Sequence, residues 1–248
     1  MLSIYNKVIK LLSCFILSSV RRKRFRKKFL RFVSVKETLD SLNNKYDLSK
    51  LEKSNIRLTI DGSNNIILLG NNIIVPTLLN IYIYGDNNIV DIGSNTFIGS
   101  APTIISFGYN DQNYINNASF KLGDGSSINE AFIALLEPNT AIEIGNNCMV
   151  SFGVTIEATD THSIIDTNRN LINYGKNIKI GNHVWIGKDT KIGKGVKISD
   201  NSIIGWGSIV TKQFDESNVI IAGNPAKIVK RGVNWDRKSP YNFMCCCN

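Results

Sequence analysis

Two histidines, His162 and His183, are the residues of this chain best suited to exchange a proton near neutral pH. An imidazole can take the proton of a hydroxyl group while that group attacks an electrophile. His162 belongs to a polar stretch that continues from Asp166 to Lys176, which reads as a surface loop of the kind that carries functional groups. His183 lies within a regular repeat, so we interpret it as a structural or surface residue.

The same residues argue against a metal centre. A zinc site built on three histidines cannot be assembled from two, and no cysteine spacing resembles a zinc site. The cysteines, Cys14, Cys148 and Cys245 to Cys247, suggest no disulfide framework, which favours a reducing cytoplasm. We therefore predict a cytoplasmic protein without a metal, and no flavin or nicotinamide motif is visible.

A repeat with a period of six residues must position these side chains. Its clearest run consists of aliphatic residues that are each followed by Gly, Ser or Thr: Ile180, Ile186, Ile192, Ile198, Ile204 and Val210. Period six fits neither a helix, at about 3.6 residues per turn, nor a two-faced strand. It fits short strands joined by tight turns, three of which close a triangular coil of about 18 residues. Looser units precede this run, among them Gly62 to Ile66 and Gly85 to Ile89.

Three stretches of the repeat resemble one protein family. They are Ile180 to Gly187, Ile204 to Lys212 and Ala222 to Lys227, and they look like the hexapeptide-repeat acyltransferases, especially the sugar and polysaccharide O-acetyltransferases. The resemblance implies an all-β fold, a left-handed parallel β-helix, and a homotrimer with active sites between subunits. It is specific from about Ile142 to Arg231, looser from Ile56 to Leu136, and absent at both ends of the chain.

Catalytic roles follow from that resemblance. In the galactoside, maltose and polysaccharide O-acetyltransferases, a histidine just after a coil at the place of His162 is the catalytic base. The resemblance implies the same role for His162, with Asp160 or Asp166 orienting the imidazole. The family's oxyanion residue is an asparagine upstream of the histidine, and Asn129 lies near that place.

The resemblance also implies acetyl-CoA as co-substrate. Thr211 and Lys212 match a Thr-Lys pair that lies beside the pantetheine and phosphates of CoA. Lys227 and Lys230 match two basic residues that meet the nucleotide phosphates, where a cation is physically required. The alternative for these two lysines is the solvated end of a helix.

Two positions depart from the family pattern. Trp206 stands where a small residue lets the pantetheine arm approach, and Lys188 stands where a serine is expected. We assign both residues to the CoA site, with Trp206 either reshaping the CoA slot or stacking on the adenine.

The first 50 residues are distinguished by their charge. The chain has 248 residues, 43% of them hydrophobic, and a net charge of +9. Residues 1–36 contain 11 Lys and Arg and no acidic residue, whereas the rest of the chain contains 18 basic and 20 acidic residues. We predict an amphipathic helical arm over residues 1–50, which either contacts the anionic inner face of the cytoplasmic membrane through residues 1–36 or packs on its own oligomer. No nucleic-acid-binding motif accompanies the charge, so nucleic acid is not an expected partner.

Residues 51–224 are predicted to form the β-helix, and residues 225–248 a C-terminal helix and tail. Pro225 ends the repeat, and Ala226 to Arg231 are predicted to form the short helix. Trp235 is expected to anchor the segment that follows, and little order is expected after Pro240.

Together these features predict an acetyl-CoA-dependent O-acetyltransferase that acts on a cell-surface saccharide: a capsule, a lipopolysaccharide or a lipid-linked precursor. Two alternatives remain open. The acceptor could be the amine of an amino sugar or a small xenobiotic, although the nucleotide-binding domain that often precedes such enzymes is not visible before Ile56. The chain could also be a non-catalytic β-helix scaffold, and the bulk of Trp206 is the main argument for it.

Overall fold

The computed structural model describes residues 38–39, 42–46, 55–109 and 113–245. In these residues the chain winds into a three-sided parallel β-helix, and each regular coil adds one short strand to each of three sheets. The left-handed parallel β-helix expected from the sequence is confirmed. The predicted helix and membrane contact of residues 1–36 lie outside the described residues.

The sheets are numbered in the order in which a coil visits them. The first sheet contains β1 (Thr38–Leu39), β2 (Lys45–Tyr46), β4 (Ile66–Leu69), β6 (Ile89–Ile92), β9 (Ser119–Leu122), β12 (Ala141–Ile144), β15 (Ile178–Ile180) and β18 (Lys197–Ile198). The second sheet contains β7 (Phe97–Ile98), β10 (Ser127–Ile128), β13 (Met149–Val150), β16 (Trp185–Ile186), β19 (Ile203–Ile204), β21 (Val219–Gly223) and β22 (Ala226–Arg231). The third sheet contains β3 (Ile56–Asp61), β5 (Leu79–Tyr84), β8 (Thr103–Phe107), β11 (Ala131–Leu135), β14 (Val154–Glu157), β17 (Lys191–Ile192) and β20 (Ile209–Val210).

Two lines of corners matter for function. The 2–3 edge joins the second sheet to the third, and the 3–1 edge joins the third sheet back to the first. Side chains that follow β10, β16 and β19 lie on the 2–3 edge, whereas those that follow β14, β17 and β20 lie on the 3–1 edge.

The six-residue repeat sets the length of a coil. Ile180 pairs in parallel with Ile198, eighteen residues later, so three repeat units make one coil. The aliphatic residue of each unit points into the helix, and all six members of the regular run are at most 2% exposed. Full burial of an Ile or Val side chain contributes about 1.5–3 kcal/mol relative to exposure, so this ladder is a major source of stability.

Asparagines form corners of the coils and a buried polar ladder. Asn87 takes the left-handed backbone conformation, with φ of 59°, which asparagine tolerates better than most residues. The next residue, Asn88, is fully buried, and its Nδ2 donates to Asn65 Oδ1 at 3.1 Å and to the Ile115 carbonyl at 2.7 Å. Its Oδ1 accepts the N–H of Ala118 at 3.0 Å. The ladder therefore satisfies backbone groups that the tight corners leave unpaired.

Replacing Asn88 with alanine is expected to lower the free energy of unfolding by about 1–3 kcal/mol, because buried donors and acceptors lose their partners. Urea denaturation of the wild type and the variant measures this difference. Asn71→Ala is the control, since Asn71 is exposed and its side chain forms no hydrogen bond with the described residues. Equal stability of Asn88→Ala and Asn71→Ala would contradict a structural role for the ladder.

The β-helix begins earlier than the predicted boundary at residue 51. β1 pairs antiparallel with β2, and β2 pairs in parallel with β4, with Lys45 opposite Ile66. Tyr46 is only 6% exposed and belongs to the core. Part of the predicted arm thus extends the first sheet, which covers backbone groups that the edge of β4 would otherwise expose.

The prediction of a helix over Ala226 to Arg231 is wrong. These residues form β22, which pairs antiparallel with β21 beyond the last parallel strand of the second sheet. The last strand of a stack has an edge of unpaired backbone groups, and a hairpin partner satisfies them. The β-branched Val229 also suits a strand.

A short helix, α1 (Pro240–Cys245), lies where little order was expected. The Ser239 hydroxyl accepts the N–H of Asn242 at 3.3 Å, and Pro240 occupies the first helical position, both of which favour helix initiation. None of the helices among the described residues is long and apolar enough to cross a membrane.

Candidate functional site

His162 lies on a loop that leaves the 3–1 edge after β14 and returns to β15. Ile142 pairs with Ile178, so this coil holds 36 residues instead of eighteen, and the loop accounts for the difference. Inside the loop, Ile165 and Leu171 form an antiparallel bridge. The His162 side chain is exposed. The loop predicted from the polar sequence is thus present, and it presents His162 to solvent.

The Asp160 carboxylate forms no hydrogen bond with the His162 imidazole in the part of the chain that the structure describes. It binds the Lys194 ammonium and accepts a hydrogen bond from Asn173 Nδ2 at 2.9 Å. These contacts, with Lys194 the stronger, hold the pKa of Asp160 below its usual value. Their stabilisation is therefore present above about pH 4 and is lost as the pH falls through the lower native pKa.

Asp166 is likewise engaged away from the imidazole. Its carboxylate accepts hydrogen bonds from Asn170 Nδ2 at 3.0 Å and from the N–H groups of Asn168 and Asn170, both at 2.8 Å. These bonds, led by the Asn170 side chain, lower the pKa of Asp166. Asp166 therefore shapes the tip of the loop.

Asn129 lies on the 2–3 edge, directly after β10, whereas His162 leaves the 3–1 edge. The Asn129 Oδ1 accepts the hydroxyl of Ser100 at 3.1 Å. The width of the third sheet separates the two edges, so a single chain does not bring Asn129 and His162 together.

Lys188 and Trp206 meet on the 2–3 edge, one coil apart. The Lys188 Nζ lies 5.4 Å from the centre of the Trp206 ring, and Trp206 Nε1 donates to Asp189 Oδ2 at 3.2 Å. Trp206 is 71% exposed. No atom lies within 4 Å of the position that a Cβ on Gly207 would occupy, so space beside this corner is open.

Thr211 and Lys212 lie instead on the 3–1 edge, after β20. They line an open depression of about 640 Å³ together with Gly175, Lys176, Asn177, Lys194, Gly195 and Gln213. No acidic residue lines the depression, two of its three lysines (Lys176 and Lys212) form no ion pair among the described residues, and it adjoins the base of the His162 loop. Such a surface suits an anionic group.

Lys227 and Lys230 lie on β22 and are exposed. Lys227 pairs with Ala222 and Lys230 with Ile220, two residues of β21 that share a face. A bulge at Val229 places the two lysines on that same face, although three-residue spacing on a regular strand would separate them. The two lysines therefore lie on one face of the strand.

His183 has a structural environment. Its ring stacks on Trp235 with 4.4 Å between centroids, and the Trp235 Nε1 donates to the His183 carbonyl at 2.8 Å. Arg237 continues the same segment across the second sheet and donates to the Cys148 carbonyl at 2.7 Å. Trp235 therefore anchors the C-terminal segment, as the sequence indicated.

Lys194, Asn173 and Glu137 were not predicted from the sequence as residues of the site. Lys194 follows Gly193 in the regular run. The equivalent corner position is Lys188 in the preceding unit and Trp206 in a later one, and both were assigned to the site. This equivalence could have identified Lys194 as a further site residue. Asn173 carries no such signal within the loop. Among the described residues, no group of three His, Cys, Asp or Glu side chains is placed to hold a metal ion.

Residues 177–212 match the family model described as "Bacterial transferase hexapeptide (six repeats)". A polysialic acid O-acetyltransferase of Escherichia coli O1:K1 / APEC is 37% identical over 97 residues, which cover 39% of this chain and 31% of that protein. A galactoside O-acetyltransferase of Escherichia coli strain K12 is 35% identical over 102 residues, which cover 41% of this chain and 49% of that protein. The chain thus spans less than half the length of either curated relative.

Two solved structures match more of the chain. The polysialic acid O-acetyltransferase OatWY is 33% identical with a TM-score of 0.63, and the match covers 76% of this chain and 87% of that one. The polySia-specific acetyltransferase NeuO is 26% identical with a TM-score of 0.55, and the match covers 78% of this chain and 99% of that one. The likeness therefore extends well beyond the six repeats of the family model.

Proposed function

This chain belongs to the hexapeptide-repeat acyltransferase family, and from that premise we propose that it transfers an acetyl group from acetyl-CoA to a hydroxyl of a cell-surface saccharide. The observation that carries the proposal is the exposed His162 on a loop that adjoins a lysine-lined depression. The relatives described above are named for polysialic acid and galactosides, and we extend this class of acceptor to the present chain.

In the proposed reaction, His162 accepts the proton of the acceptor hydroxyl as the hydroxyl oxygen attacks the thioester carbonyl. Acetyl-CoA supplies the acetyl group as an activated thioester. The oxyanion that forms requires a hydrogen-bond donor, and we assign this role to the Asn129 amide of a neighbouring copy. When the carbon–sulfur bond breaks, His162 returns the proton to the leaving thiolate. The products are the acetylated saccharide and CoA with a free thiol.

The lysines assigned to CoA suit its phosphates. The side chains of Lys188, Lys227 and Lys230 are exposed, and none forms an ion pair with an acidic group among the described residues. Trp206 offers an exposed aromatic face next to Lys188, and the open space at Gly207 leaves room for an extended arm. These features support CoA binding along the 2–3 edge, with Trp206 as a contact.

A homotrimer would complete the site. The outer face of the first sheet carries ion pairs such as Lys121–Asp91, and the C-terminal segment covers part of the second sheet through Arg237. The outer face of the third sheet instead carries half-buried apolar residues: Ile104, Phe132 and Ile209. We therefore assign the third sheet to the contact between copies. In a cyclic trimer built this way, the 2–3 edge of one copy meets the 3–1 edge of the next.

The proposed activity is tested by following thiol release from acetyl-CoA with a panel of acceptors that contains polysialic acid and galactosides. We expect release that depends on one class of saccharide and mass spectrometry that shows an added acetyl group on it. Preference for an amino-sugar amine would replace O-acetylation by N-acetylation. The absence of both turnover and CoA binding would overturn the enzyme proposal.

A further inference from the structure

One carboxylate of the preceding coil binds both ends, or stems, of the His162 loop. Glu137 follows β11 on the 3–1 edge, one coil before the loop. Its Oε1 accepts the hydroxyl of Thr159, and its Oε2 accepts the N–H of Gly175 at 2.6 Å. Thr159 begins the loop and Gly175 ends it, so one side chain ties both stems to the β-helix.

One ammonium group of the coil that follows the loop binds the same two stems. Lys194 follows β17, and its Nζ donates to the Asp160 carboxylate and, at 2.6 Å, to the Asn173 carbonyl. The Asn173 Nδ2 in turn donates to Asp160 and, at 2.8 Å, to the carbonyl of His162 itself. A continuous chain of hydrogen bonds therefore runs from Lys194 through Asn173 to the backbone of His162.

Lys194 is less exposed than the cation of any other ion pair among the described residues. Its side chain is 17% exposed, whereas Lys121 and Lys179, which pair with acidic residues across the first sheet, are 60% and 68% exposed. Their N–O distances are also long, at 3.6 and 3.9 Å. Exposed pairs of that kind contribute little, but a partly buried pair whose members form further hydrogen bonds restricts the groups that it joins.

We propose that Lys194 is a positioning residue, which together with Asn173 and Glu137 fixes the place of His162 along the axis of the β-helix. The consequence for catalysis rests on the proposed function, in which His162 is the base. A catalytic group displaced by about 1 Å can lose about 100-fold in rate, so a loop of this length requires such fixation.

The first test replaces Lys194 with methionine, which keeps the length of the side chain and removes its charge. We expect kcat to fall by about 10- to 100-fold while KM for acetyl-CoA changes by less than about threefold, because the loop moves whereas Lys188, Lys227 and Lys230 do not. Lys179→Met is the matched control, since it removes an exposed lysine from the first-sheet strand of the same coil. A kcat of Lys194→Met within twofold of the control would overturn the proposal.

A second measurement does not depend on activity. Arg169 is an exposed arginine within the loop, so an arginine-specific protease reports how often the loop opens. Cleavage after Arg169 is expected to be about tenfold faster in Lys194→Met than in Lys179→Met, with thermal unfolding used to check that both are folded. An unchanged rate of cleavage would overturn the proposal. If the wild type proved inactive towards every acceptor, the proposed function would fail, yet this assay would still decide whether Lys194 fixes the loop.

A double-mutant cycle attributes the effect to the contact itself. Asp160→Asn removes the partner charge, so the double variant with Lys194→Met should be cleaved at Arg169 no more than about twice as fast as the worse single variant. Additive effects would mean that the two residues act independently, which contradicts the proposed chain of contacts.

Discussion

Replacement of His162 by alanine is expected to lower kcat for acetyl transfer by about 10²–10⁴-fold, because the acceptor hydroxyl loses the group that takes its proton. The affinity for acetyl-CoA should stay within a few fold, since the residues assigned to CoA lie on β22 and at other corners. Thiol release at saturating acceptor measures kcat, and isothermal titration measures the affinity for CoA.

The other histidine provides the control for this experiment. His183 stacks on Trp235 and makes no contact with the loop among the interactions described, so His183→Ala should keep kcat within about threefold while it lowers the unfolding temperature. If His162→Ala retained more than a tenth of the wild-type kcat, His162 would not be the base. If His183→Ala lost activity at full stability, the roles of the two histidines would have to be exchanged.

Mixed oligomers of two inactive variants are expected to regain activity. Asn129→Ala should lose about 10²–10³-fold in kcat if its amide stabilises the oxyanion. Since Asn129 and His162 lie on different edges of one chain, each site would take them from different copies. A cyclic trimer that contains both His162→Ala and Asn129→Ala chains keeps both residues intact at about one of its three sites, whichever variant is present twice. Co-expression with two affinity tags, followed by thiol release, measures the recovery.

The same tagged preparation made from His162→Ala chains alone is the matched control and should stay at background. Mixed oligomers that form normally but remain as inactive as either variant would refute a site shared between copies. Recovery far above about a third of the wild-type rate would also be inconsistent, because a mixed trimer has only one intact site.

The ladder of buried aliphatic residues was predictable because it depends on a regularity along the chain. Each unit from Ile180 to Val210 supplies both its inward-facing residue and a small corner residue, so one unit already encodes its own geometry. The asparagine corners are local in the same sense, since a residue such as Asn87 adopts its positive φ within its own turn.

The ends of the β-helix were not predictable in this way. Ala226 to Arg231 contain lysines together with Ile228 and Val229, a composition that is compatible with a helix or a strand. The unpaired edge of β21 decides between them, and that edge exists only once the coils are stacked. Tyr46 enters the core for a related reason, because β4 offers β2 an edge to pair with.

By itself, the sequence determined the β-helix, the asparagine corners and the placement of a proton-exchanging His162 on a polar loop. Only the tertiary structure decided what surrounds that loop. Lys194 binds the carboxylate of Asp160, which lies 34 residues earlier in the chain. Glu137 accepts a hydrogen bond from the hydroxyl of Thr159, which lies 22 residues later. The tertiary structure also decided that Asn129 lies on a different edge from His162. The physical reason is that a repeat encodes spacing along the chain, whereas ion pairs and hydrogen bonds between coils depend on distances in space, which are set when the coils stack around the inserted loop.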